Sequence, residues 1–307
     1  MDKEKWTSED VSAAILNNNQ HLEIIVGNYF KNFIGRLGNY DISIQGMSDT
    51  DQLINKVLEG IDQLEVLRKD FISVVEIFAP SKHRFLAQYL PEFFEKLLDF
   101  YEENRINLYA GTSVDSLRND HYRFFNQHLF ISLTALLIEY ECFDALRALL
   151  WTKFPVYYKS VRMIREVNYM RFREYNYTLN EFRNTSQPKR ISVTSDYIYK
   201  YSGHKVFEKL VKADILLYYI SLWNRSDEVL DPYWYPELSV YNRENFILPK
   251  LVSKEYFEKS KVLFGVKNAE RFRYLLDNTK DPLQRGGVYR VPNLKTGLMY
   301  ETVASEE

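Results

Sequence analysis

Two stretches of the sequence hold residue types able to do chemistry. The first runs from Asp120 to His128 and reads Asp-His-Tyr-Arg-Phe-Phe-Asn-Gln-His, so Arg123 and His128 stand with four residues between them. His121 and His128 are seven residues apart, about two turns along one face of a helix. Two imidazoles at that spacing, with no third ligand, make a poor metal site, and no metal is expected. Cys142, the single cysteine, lies in Tyr-Glu-Cys-Phe on an apolar helical pattern, where packing is a plainer role than nucleophilic chemistry.

The second stretch, 157–190, interleaves Lys159, Arg162, Arg165, Arg171, Arg173, Arg183, Lys189 and Arg190 with seven tyrosines and phenylalanines. These eight cations face only Glu166, Glu174 and Glu181. Cations hold phosphates and aromatic faces stack on unpaired bases, so RNA or single-stranded DNA is one candidate partner. Tyr and Arg are equally good anchors for a protein or effector partner, which ranks above nucleic acid. The plainest alternative is that the rings pack inward while the arginines lay their stems on apolar surface with their heads in water. As a binding surface the segment would use Arg162, Arg165, Tyr169, Arg171, Arg173 and Tyr175.

Several common chemistries are missing. The sequence has no Walker phosphate loop, dinucleotide glycine fingerprint, zincin pair or nucleophile elbow, and no Glu-x-x-His pair of the di-iron kind. Gly286-Gly287 alone cannot make a phosphate loop. These absences argue against nucleotide hydrolases and metalloenzymes, and no cofactor is expected. A single cysteine excludes an intrachain disulfide framework and suits a reducing cytoplasm. The net charge of −2 sets up no global field towards nucleic acid or an anionic membrane.

The elements that must position these residues read as helices. Hydrophobic residues make up 46% of 307, ample for a core, while Gly and Pro, 11 and 9, are too few for an all-β chain rich in turns. A first helix should start at Thr7 or Ser8, with a break at Asn17–Asn19 and a stop at Gly38. Ser48, Asp49 and Asp51 then announce a long helix over 49–79. Ile54, Ile61 and Val75 share one heptad position, and Val57, Leu64, Phe71 and Phe78 another. Arg68 interrupts the first series. Residues 82–104 should form one or two helices with Pro91 in a first turn. The most hydrophobic helices fall within 113–153, and His204–Trp223 is a second buried helix. The longest apolar runs, Leu129–Ile138 and Ala213–Trp223, are well short of the roughly 20 residues a spanning helix needs. The N-terminus lacks a signal-peptide core. No membrane partner is therefore expected, and a cytoplasmic location is. Two short helices should lie near 253–264 and 268–277. The tail from Asp281 suggests a small hairpin or a docked extension.

The pair Arg123 and His128 resembles the Arg-x4–6-His motif of HEPN ribonucleases. That resemblance implies a metal-independent RNA nuclease in which His128 exchanges a proton with a 2′-hydroxyl and Arg123 stabilises phosphate charge. The chain departs from the motif in having Phe124, rather than a polar residue, directly after the arginine. Two longer stretches, DHYRFFNQHLFISLTALLIEYECFDALRALL at 120–150 and WYPELSVYN at 234–242 followed by LPKLVSKEYFEKSKVLFGV at 248–266, resemble helical regions of poorly characterised bacterial proteins, some from anti-phage defence operons. That resemblance implies a helical sensor or scaffold working with an effector.

The expected architecture is all-α: packed helical hairpins, stackable as degenerate solenoid units, with an irregular aromatic and basic middle segment. Subdomains are expected at 1–155 and 204–307, with 156–203 as connector or insertion. The expected function is a protein-interaction or regulatory module, more readily than an enzyme. The alternatives are the HEPN-like nuclease and a non-catalytic binder of single-stranded nucleic acid. An enzyme should hold Arg123 and His128 in an open cleft, whereas a scaffold should bury them.

Overall fold

The structure, a computed structural model, describes residues 7–17, 21–43, 49–81, 84–100, 117–158, 162–224, 233–285 and 289–306. Ser48, Lys159 and Gly286-Gly287, together with parts of the Asn17–Asn19 break and of the 82–104 and 113–153 runs, lie outside the described residues. The chain is predominantly α-helical, and among the described residues its sheet is one antiparallel pair of strands.

Helix α1 (Ser8–Leu16) starts on Thr7, whose hydroxyl accepts from the Asp10 amide while the Asp10 carboxylate accepts from the Thr7 amide. This reciprocal cap satisfies two otherwise orphaned donors. Helix α2 (Leu22–Leu37) follows and ends at Gly38, which holds an ordinary right-handed conformation and leads into a 3-10 turn. Helix α3 (Thr50–Phe78) is capped by Asp49 and runs for 29 residues. Its seam is buried as the heptad spacing requires, including Ile54, Val57, Ile61, Leu64, Phe71, Val75 and Phe78.

Helix α4 (Phe85–Leu98) corrects one expectation. Pro91 stands in its interior instead of opening a helix. A proline there removes one backbone bond and crowds the preceding turn, at about 3 kcal/mol. The helix stays continuous because Phe85, Leu86, Leu90, Phe93, Phe94, Leu97 and Leu98 are all buried, and each such side chain gains about 1.5–3 kcal/mol from burial.

Helix α5 (Asp120–Glu139) is the axis of the molecule. All eighteen residues from Asp120 to Leu137 are buried, polar ones included. It packs on α3 along one side and on α8 (His204–Ser221) along the other. Gly60 permits the close approach to α3, since a Cβ there would lie 3.1 Å from the His121 ring. Phe130, Leu133, Leu136, Leu137, Leu216, Tyr219 and Ile220 are all buried.

Helix α6 (Phe143–Trp151) leads into β1 (Phe154–Tyr158) and β2 (Met163–Val167). Most of this hairpin lies in the segment expected to be an irregular connector or insertion. Phe154 and Val156 alternate inward with the solvent-facing Pro155 and Tyr157, a period of two that only a strand can bury on one side. Single 3-10 and π turns follow, then α7 (Val193–Ser202), which meets α8 at Gly203. Helices α9 (Lys254–Ser260) and α10 (Ala269–Asp277) fall where expected. The tail is a docked extension: α11 (Leu294–Gly297) gives the Gly297 carbonyl to the amides of Ile247 and Leu248, and Ala304 and Glu306 donate to Leu251 and Val252. One cluster of buried apolar side chains runs from Val11 to Val303, across both expected subdomain boundaries. Among the described residues no helix is long and apolar enough to cross a membrane.

Candidate functional site: a charged helix and an exposed hairpin

Arg123 and His128 do not face a common cleft. Both are buried, and they point into two separate charged clusters along α5. The Arg123 guanidinium donates to Asp120 Oδ1 at 2.7 Å and to Glu174 Oε2 at 3.1 Å. Asp120 Oδ2 also accepts from the Thr178 amide at 2.6 Å, and the Asp120 carbonyl accepts from Asn176. Burial raises the Asp120 carboxyl above its usual range, although Arg123 and the Thr178 amide pull the other way. The cluster thus pins the loop after β2 onto the first turns of α5.

His128 belongs to a different constellation. Its Nδ1 lies 2.6 Å from Glu65 Oε1 on α3, and its Nε2 lies 3.0 Å from Ser202 Oγ, the last residue of α7. Arg68, one turn from Glu65, donates through Nε to both Glu65 oxygens and through Nη1 to Ser132. Burial pushes the His128 pKa down to about 4, and the Arg68 charge pushes the same way. The imidazole is therefore neutral at pH 7. Burial opposes ionisation of Glu65, but His128 and Arg68 hold its carboxyl below the usual range. A neutral ring beside an ionised carboxylate must carry its proton on Nδ1, which leaves the Nε2 lone pair to accept from the Ser202 hydroxyl. The order is carboxylate, imidazole, hydroxyl. His128 is sealed, while Ser202 retains partial exposure. Beside it, Gly203 takes φ +71° and ψ 161°, a conformation open to glycine alone, and α8 begins at once without a side-chain cap.

Neither Glu65 nor Ser202 stood out in the sequence. The signal for Glu65 was indirect: Arg68 on the apolar seam of α3 needs a buried counter-charge, and a carboxylate three residues away supplies it. Ser202-Gly203 read as a loop, and nothing local in the chain ties it to a histidine 74 residues earlier.

The other two candidates from the sequence are structural. His121 is buried, with Nε2 2.9 Å from the Tyr40 carbonyl oxygen, and Cys142 Sγ donates to the Ala79 carbonyl at 3.2 Å. Among the described residues no group of three or more His, Cys, Asp or Glu is arranged to hold a metal ion.

The six expected partner-binding residues do not form one surface. Arg162 and Arg165 are exposed on the hairpin. Tyr169 is fully buried and donates its hydroxyl to the Leu217 carbonyl at 2.7 Å. Arg171 is buried with Nη1 3.3 Å from Glu174, and Arg173 is nearly buried, 3.7 Å from Glu237 and stacked over Tyr235. Tyr175 is at the exposed margin, its hydroxyl on Glu181. The correction has a physical cause. After β2 the chain turns back onto α5, where buried Glu174 and Glu237 need positive partners, so Arg171 and Arg173 serve the core.

Beside Arg162 and Arg165 the hairpin also exposes apolar side chains. Tyr157 is 53% exposed, Met163 43% and Ile164 65%. Tyr157 and Ile164 are directly paired across the hairpin. No protein-family model, curated protein or solved structure matches this chain.

Proposed function

We propose that the chain is a helical protein-interaction module that engages its partner through the β1–β2 hairpin. The observation that carries this reading is the outward cross-strand pair Tyr157–Ile164, with Met163 beside it. Cross-strand aromatic and β-branched pairs normally stabilise a sheet by covering one another on a packed face. Here the pair faces water on a two-stranded ribbon, which is where a partner strand or apolar patch gains most. Arg162 and Arg165 flank the apolar residues and suit a polar rim.

The bacterial anti-phage setting, with this chain as sensor or scaffold beside an effector, rests on the resemblance of segments 120–150, 234–242 and 248–266. The HEPN-like reading draws no support from the geometry, because Arg123 and His128 are sealed in different clusters. Binding of single-stranded nucleic acid is weakened as well, since Arg171 and Arg173 are spent on internal carboxylates.

The test is a tagged full-length chain expressed in its native host, compared with a Tyr157→Ser, Ile164→Ser double variant. A protein that co-purifies with the wild type and is lost from the variant, with thermal unfolding unchanged, supports the reading. Retention of every co-purifying protein by the variant refutes it.

A further inference from the structure

The cluster at the junction of α3, α5 and α7 has the connectivity of a nucleophilic relay. Glu65 Oε1, His128 Nδ1, His128 Nε2 and Ser202 Oγ follow one another at 2.6 and 3.0 Å across the ring. The same order of carboxylate, imidazole and hydroxyl activates serine on several unrelated folds, where it is identified by geometry and not by sequence position. We propose that Ser202 is an acyl-accepting nucleophile, with His128 as its base and Glu65 as the group that orients His128, acting on small carboxylic esters.

Three features support this assignment. The first is direction. Glu65 is fixed from behind by both bonds to Arg68, so the Nδ1 proton is held and Nε2 faces the hydroxyl. The second is access. The histidine is sealed, but the serine is part-exposed, as a nucleophile and a protected base should be. The third is the backbone beyond the serine. Gly203, at φ +71°, breaks the chain between two helices, and α8 opens with no side chain on its first amides. The first-turn N–H groups of a helix point back out of its N-terminus, here towards the Ser202–Gly203 junction, and can stabilise negative charge developing on a carbonyl oxygen.

The steps balance without any further reactant than water. The Ser202 oxygen bonds to the ester carbonyl carbon as its proton passes to His128 Nε2. The alkoxide leaves from the tetrahedral intermediate and takes that proton, which gives an acyl-serine and an alcohol. Water then gives a proton to Nε2 and attacks the acyl carbon. The carboxylic acid departs as Ser202 regains its proton. Because the His128 ring is sealed, the leaving group has to be small to reach Nε2. That restriction is the reason for assigning small esters.

The experiment uses the full chain, an alkyl fluorophosphonate and p-nitrophenyl acetate, whose phenolate leaves without needing a proton. Expected is one fluorophosphonate adduct per chain, mapped by mass spectrometry to Ser202, and an esterase rate that falls at least a hundredfold in Ser202→Ala. Ser202 is not in the core, so that variant should keep the wild-type circular dichroism spectrum. His128→Asn retains a donor for Glu65 and removes the base, so labelling should slow by a similar factor. The wild-type rate should be flat from pH 5 to 8, because His128 stays neutral throughout that range. An unlabelled Ser202 in a folded chain overturns the proposal. So does a rate unchanged in Ser202→Ala, or one that titrates near pH 6.5 as an ordinary exposed histidine would.

Discussion

The centre of α5 and the β1–β2 hairpin are built from the same kinds of residue and treat them in opposite ways. On α5, Arg123 and the nearby Arg171 are enclosed by Asp120 and Glu174, and Tyr169 is sealed with its hydroxyl on a backbone carbonyl. On the hairpin, six residues before Arg171, Arg165 is solvent-exposed beside Ile164, and Tyr157 opposite is more than half exposed. Composition cannot separate the two regions. What separates them is whether the backbone folds back onto a buried carboxylate. An arginine near Glu174 or Glu237 becomes structural, whereas Arg162 and Arg165 on the hairpin keep solvent-exposed side chains. The density of basic residues along the sequence therefore does not mark an exposed surface in this molecule.

The largest effect that can break this contrast is loss of the α5 cation. Arg123→Met leaves buried Asp120 without its arginine and Glu174 with Arg171 alone, and removing one partner from a buried ionic cluster costs about 3–5 kcal/mol. Arg165→Met on the exposed strand should stay within about 0.5 kcal/mol of wild type. Urea denaturation of both variants checks the difference. Equal midpoints would mean that the buried cluster contributes no more than a surface charge.

A middle-sized effect comes from pH. The unfolded chain protonates His128 near pH 6.5, but the folded chain does so only near pH 4. Between those values the unfolded state binds the additional proton, so this group's contribution is complete above pH 6.5 and is lost as pH falls. His121, also lowered to about 4 by burial, acts in the same sense. Asp214, raised to about 7 by burial despite bonds from Trp234 and the Leu238 amide, acts in the opposite sense: the folded state holds its proton longer, and that stabilisation is lost as pH rises through 7. His128→Asn should therefore make the fall in stability from pH 6.5 to 4 shallower, by up to about 1.4 kcal/mol per pH unit. Unfolding free energies at four pH values would show it, and parallel curves for variant and wild type would count against a neutral buried His128.

Much of the fold was legible in the sequence, for reasons that can be located. The α3 seam repeats over four heptads, and Asp49 and Thr7 are residues that cap helices by local bonds, so neither needs tertiary information. The hairpin was missed because its period of two spans only Phe154 to Tyr157 before the turn, too short to stand out among neighbouring aromatics. Pro91 was misplaced because a local rule about prolines lost to burial of a whole helix face. The candidate site was illegible for a different reason. Glu65, His128 and Ser202 come from three helices, 63 and 74 residues apart along the chain, and only packing of α3, α5 and α7 joins them. His128 could be singled out from the sequence alone; its partners could not.

The smallest effect concerns the rim of the hairpin, and it decides what kind of partner the hairpin takes. Arg162 and Arg165 are exposed, so replacing both with Ala should leave stability within about 0.5 kcal/mol. Its consequence for binding depends on the partner. Against a protein docked on Tyr157, Met163 and Ile164, two rim arginines chiefly set the association rate, and affinity should fall less than in the Tyr157→Ser, Ile164→Ser variant. The salt response should then be shallow. Against single-stranded nucleic acid, each lost phosphate contact removes about 0.7 from the slope of log affinity against log salt, so the double variant should bind with a visibly flatter salt dependence than wild type. Titrating the purified chain with its co-purifying partner at two salt concentrations distinguishes the cases. A steep wild-type slope that flattens in the Arg162→Ala, Arg165→Ala variant would move the hairpin from protein recognition to nucleic-acid recognition. A shallow slope in both, with binding lost only when Tyr157 and Ile164 are replaced, would leave the apolar pair as the determinant.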